Sequence, residues 1–123
     1  MVMNRPAAVA AVLLAGCLAS PSAAENWFEY SRVGATLPTG TVWISQELDA
    51  DSLARDGDLI RYRIRLKHPD KGPMNLTDMR ADCGRRTRGK LSGDAMQPVQ
   101  AGSAGARELA TACALAGSRG LLR

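Results

Sequence analysis

The chain has 123 residues, 46% hydrophobic and 4% aromatic, with a formal net charge of +4 and three cysteines. That length holds one domain with a modest core. Two Trp, two Tyr and one Phe give little to stack on bases, which argues against a nucleic-acid partner.

Residues 1–24 read as an export signal. Arg5 supplies a positive start, Ala7 to Leu14 is a short apolar run, and small residues follow. The run is too short to span a bilayer as a helix, which takes about 20 apolar residues, and the order of features is the secretory one. Two cleavage sites compete. Ser22-Ala23-Ala24 fits an ordinary signal peptidase and frees a periplasmic chain starting at Glu25. Leu14-Ala15-Gly16-Cys17 resembles a bacterial lipobox, which removes residues 1–16 and acylates Cys17. Residues 17–25 are then a tether, Leu18 favours the outer membrane, and the lipid is the only expected membrane contact. Both readings stay open.

The mature chain is polarised. Residues 25–60 hold two bases against seven acids, and residues 61–90 hold ten bases against three acids. WFEYSRV, 27–33, is a strand candidate, and GATLPTG, 34–40, reads as a turn through its Gly and Pro. TVWISQEL, 41–48, is a β-branched and aromatic strand. DADSLARDGD, 49–58, is polar, and its Asp56-Gly57 marks a tight turn.

LIRYRIRLK, 59–67, has the clearest pattern. Ile60, Tyr62, Ile64 and Leu66 alternate with Arg61, Arg63, Arg65 and Lys67, so period two places apolar groups on one face and bases on the other. After a loop at 68–73, MNLTDMRADC, 74–83, and RRTRGKL, 85–91, form a hairpin about Gly84, with Arg86, Arg88 and Lys90 sharing a face. MQPVQ, 96–100, is an edge strand, because Pro98 has no N–H for a ladder.

SAGARELATACALAG, 103–117, is a helix. Ser103 caps it, Ala106, Leu109, Ala110, Cys113 and Ala116 form the packing face, and Gly117 stops it. The tail 118–123 has no evident partner and is expected to fray. The domain therefore covers 26–117. The fold class is α+β: a small antiparallel sheet of five to six strands with one C-terminal helix packed on it.

Cys17 goes to the signal or the lipid, which leaves Cys83 and Cys113. In an oxidising compartment an even remainder implies a disulfide. Two cysteines and the distant His68 are too few for a closed zinc site. A reactive Cys83, its pKa lowered by Arg85 and Arg86, would need Cys113 to be unavailable. The Cys83–Cys113 bond would staple helix to sheet.

Asn26-Trp27, Thr41-Val42-Trp43, Asp51-Ser52-Leu53, Asp56-Gly57, Asp82-Cys83, Pro98-Val99, Ser103 and Ala112-Cys113 occur in an order that resembles the surface-adhesin protein E family of small exported bacterial proteins. The resemblance spans about residues 26–113. It implies an antiparallel sheet with a disulfide-tethered C-terminal helix, adhesion to host proteins, and a homodimer formed through the sheet.

Catalysis is not expected. No serine lies in a nucleophile elbow, no glycine-rich phosphate loop follows a strand, and the acid pairs Asp49/Asp51 and Asp56/Asp58 sit in turn-like sequence. No cofactor or metal is implied. The leading expectation is a non-catalytic envelope module that binds a protein or polyanion. Its candidate patch is Arg61, Arg63, Arg65 and Lys67 joined by Arg86, Arg88 and Lys90, since arginine-rich sheet faces suit carboxylate, sulfate and phosphate groups. The competing account is a solvated face whose bases pair with Glu47, Asp78 and Asp82. A periplasmic inhibitor of a lytic enzyme, acting through the acidic 47–58 segment, and a purely structural envelope protein are the alternatives.

Overall fold

The computed structural model describes residues 26–93 and 95–122; the segment read as an export signal and Cys17, the candidate for lipidation, lie outside them. Six strands follow one another: β1 (Trp27–Leu37), β2 (Gly40–Asp56), β3 (Leu59–His68), β4 (Gly72–Asp82), β5 (Thr87–Lys90) and β6 (Gln97–Pro98). Helix α1 (Ala104–Ser118) closes the chain. Sheet order equals sequence order, with every pair antiparallel, and the sheet curls into a half-barrel. This is the α+β architecture that the sequence implies.

The alternation in β3 sorts its side chains as expected. Ile60 and Tyr62 are buried, and Ile64 packs against them. They meet Tyr30, Leu48, Met79 and Ala81 from the other strands and Leu109, Ala112 and Ala116 from α1. The helix lies against β1 and β2, and its other ties are covalent and polar. Cys83, just past β4, is bonded to Cys113, with their Cα atoms 5.8 Å apart.

Two segments read as turns are strand. Residues 34–37 continue β1, and only Pro38 and Thr39 turn. Glycine weakens a strand because it has no side chain to pack, but here the indole of Trp43 covers Gly34 from the facing strand: a Cβ on Gly34 would sit 3.1 Å from its Cζ3. Residues 49–56 likewise belong to β2, with a register shift between Asp49 and Ala54. Side chains stand in for ladder groups there. The Arg63 N–H donates to Ser52 Oγ at 2.7 Å, and the N–H groups of Asp51 and Asn26 donate to Asp49 Oδ1 at 3.0 and 3.3 Å. The turn at Gly57 and Asp58 stands, with Gly57 at φ 64°.

In the β4–β5 hairpin the left-handed residue is Arg86, at φ 59°, rather than Gly84. His68 closes the preceding turn, its Nδ1 accepting from the N–H groups of Asp70 and Lys71 at 3.0 and 3.1 Å.

Ser103 caps α1, its Oγ accepting from the Ala106 N–H at 3.1 Å. The buried face is Glu108, Leu109, Ala112 and Ala116, while Ala110 is exposed. The expected face was therefore turned by about one residue, because small alanines all round the helix give the pattern little contrast. Gly117 does not stop the helix. The end is a Schellman motif: Leu121 N–H donates to Ala116 O, Gly120 N–H donates to Gly117 O, and Gly120 takes φ 71°. The tail is thereby held. Leu121 packs on the core, and Arg119 donates to the Ala50 carbonyl at 2.7 Å and to Asp51 Oδ1 at 3.2 Å.

Candidate functional site

Antiparallel pairing places directly opposed residues on the same face, so register decides which bases stand together. In the ladder Arg88 opposes Ala81, which opposes Ile60, and Lys90 opposes Met79, which opposes Tyr62. Arg88 and Lys90 therefore lie on the helix side of the sheet. Arg61, Arg63, Arg65 and Lys67 lie on the open side, and Arg86 stands in the turn. The single positive face expected from the seven bases is thus two separate groups and a turn residue.

Arg88 belongs to a buried polar cluster. Glu108 is 2% exposed. Tyr62 donates its hydroxyl to Glu108 Oε2 at 2.6 Å, Tyr30 donates to Oε1 at 3.4 Å, and Arg88 Nε stands 3.6 Å from Oε2. Gly105 makes room for that guanidinium, since a Cβ there would lie 3.0 Å from Arg88 Nε and Nη2. Burial pushes the Glu108 carboxyl up, against the opposing pull of the Tyr62 hydroxyl, the Arg88 charge and the Tyr30 hydroxyl. Burial and the adjacent carboxylate also raise both tyrosines, which stay protonated donors. The cluster joins α1 to strands β1, β3 and β5. It has the form of a structural lock: the buried Glu108 carboxyl is taken up by the two tyrosine hydroxyls and faces the Arg88 charge, while the buried Arg88 Nε makes no hydrogen bond among the described residues.

On the open face two of the four β3 bases are paired. Arg65 Nε meets Glu47 Oε1 at 2.8 Å, both side chains being largely buried, and its guanidinium lies 3.9 Å from the centroid of the Trp27 ring. Arg63 Nε meets Asp78 Oδ1 at 3.0 Å in the open. These are the cross-strand pairs that the solvated-face account requires. Arg61 and Lys67 have no acidic partner among the described residues.

Arg61 is directly opposite Arg80. Arg80 Nη2 donates to the Gly93 carbonyl at 3.0 Å, and its buried Nε has no partner among the described residues. Like charges directly opposed across a ladder are destabilising. A depression of about 350 Å³ lies beside Arg61, lined also by Arg63, Ser52 and the acids Asp49 and Asp78. Sequence reasoning missed Arg80, because the register shift between Ile64 and Leu66 hides which residues of β3 and β4 meet. It also missed Glu108, which a helix made largely of small residues gave no reason to bury.

Three of the five acids of the 47–58 segment are engaged internally. Glu47 pairs with Arg65, Asp49 accepts backbone N–H groups, and Asp51 pairs with Arg119. Comparison of the chain with protein-family models, curated proteins and solved structures gives no match.

Proposed function

We propose that this chain is a non-catalytic, exported cell-envelope module that binds an anionic partner, a protein surface or a polyanion, on the open face of its sheet. The observation that carries the reading is the opposition of Arg61 and Arg80, neither of which has an acidic partner among the described residues. A bound carboxylate, sulfate or phosphate would relieve that repulsion, and guanidinium forks suit such groups. The disulfide agrees with an oxidising compartment, and the resemblance to surface adhesins agrees with a binding role. The inhibitor alternative is the weaker, because Glu47, Asp49 and Asp51 of its acidic segment are taken up by partners within the chain.

A second reading of the partner, another copy of this chain, is favoured by β1. It is an eleven-residue edge strand carrying exposed Phe28, Val33 and Leu37, and such edges pair readily.

The test of the anion-binding reading is retention on immobilised heparin across a salt gradient. The wild type should elute well above the double variant Arg61→Gln/Arg80→Gln, with affinity falling about tenfold or more on loss of two such contacts. Lys90→Gln, on the other face, should elute with the wild type. Equal elution of all three proteins would refute the reading.

A further inference from the structure

The open face carries a second feature at the β1–β2 end. Trp43 is 59% exposed, the most exposed of the large hydrophobics. It shares the alternation of Ser45 and Glu47 in β2, so it stands among polar groups rather than over the core. Its ring lies over Gly34, where an added Cβ would come within 3.1 Å of it. Beside it opens a cleft of about 240 Å³ lined by Glu29, Arg32, Trp43, Ser45, Lys67 and Pro69.

Three of these residues form one row across the sheet: Arg32 opposes Ser45, and Ser45 opposes Lys67. Arg32 Nε is held by Glu29 Oε2 at 2.7 Å and Oε1 at 3.0 Å. Its two Nη groups have no partner among the described residues. Ser45 Oγ donates to Glu29 Oε1 at 2.8 Å. The arginine and the serine hydroxyl hold the Glu29 carboxyl below its usual range, so it stays ionised and able to accept.

We infer that this cleft binds an acidic saccharide, a pyranose carrying a carboxylate, stacked on Trp43. The C–H edges of a sugar ring carry partial positive charge and fit the electron-rich face of an indole. The carboxylate goes to Lys67 Nζ and the free nitrogens of Arg32. Glu29 accepts from a ring hydroxyl. That third group decides the class: a carboxylate inside the cleft repels a dense polyanion such as polyphosphate, but serves a ligand that carries hydroxyl donors as well as a single charge. The site goes beyond the Arg61–Arg80 reading and uses none of its residues.

The experiment is a titration of the ¹⁵N-labelled domain with a hyaluronan hexasaccharide, an unsulfated uronate-containing probe, following the two indole N–H signals. The Trp43 signal, assigned with Trp43→Phe, should move. Trp43→Ala and Lys67→Gln should each weaken binding roughly tenfold, as loss of a stacked or charged contact does, while Arg61→Gln/Arg80→Gln leaves it unchanged. A carboxyl-reduced probe should bind more weakly than the native one. The inference is overturned if the native probe moves no signal, or if Trp43→Ala binds it undiminished. It is also overturned if only a sulfated polyanion binds and the Arg61/Arg80 variant abolishes that binding, an outcome that would still uphold the anion-binding reading.

Discussion

Glu108 sits where three strands and the helix meet, and its environment makes the protonation state of one carboxyl a term in stability. Its folded pKa is raised above the ordinary 4.5 chiefly by burial. The folded state therefore holds that proton more tightly than the unfolded chain. The contribution is complete below the unfolded value and is lost as pH rises through the raised folded value. Glu108→Gln, a neutral stand-in for the protonated acid, should match the wild type near pH 4 and become the more stable protein toward pH 8, read as the urea midpoint at each pH. A wild type that instead gains on the variant with rising pH would mean that Arg88 and the tyrosines outweigh desolvation. Little of this cluster was legible in advance, because its members Tyr30, Tyr62, Arg88 and Glu108 are distant in sequence and Glu108 lies among helix formers of no contrast. Arg61, Arg63, Arg65 and Lys67 were legible as one face because period two sorts charge from apolar groups without reference to any partner. What each base does there was not, since it depends on which acid the neighbouring strand presents.

At the scale of elements, α1 is the weak packer. Apart from Leu109, its buried apolar residues are alanines, which remove little area from water. The Cys83–Cys113 bond closes a loop with a sequence separation of 30, worth roughly 3–4 kcal/mol in the chain-entropy account. Reduction should free the helix before the sheet: amides of 104–118 should lose hydrogen-exchange protection while those of β2 and β3 keep theirs. Simultaneous loss in helix and sheet would show that the bond supports the fold as a whole. Helix, disulfide and the long β3 strand were readable from local pattern and cysteine parity. The two false turns were not, because each depends on something that crosses strands: the Trp43 ring over Gly34, and the Ser52 hydroxyl that takes the Arg63 N–H.

For the whole molecule, the two edges of the sheet are unlike. β6 is two residues long and contains Pro98, which blunts pairing. β1 is long, and its outer edge pairs with no other strand among the described residues. Sedimentation across a concentration series should show self-association of the wild type and its loss in Val33→Lys, whose charge on the edge opposes pairing; a monomer at every concentration would remove the second-copy reading. The order of the strands bears on how the chain folds. Because each strand pairs with the next in sequence, the sheet is built from hairpins of low contact order, which close quickly. Only the helix must search far back along the chain, to place Glu108 beneath Tyr30, 78 residues earlier. A meander that is complete before its helix arrives can wait for oxidation, and the late Cys83–Cys113 bond then works as a ratchet, turning a slow, reversible docking step into a committed one.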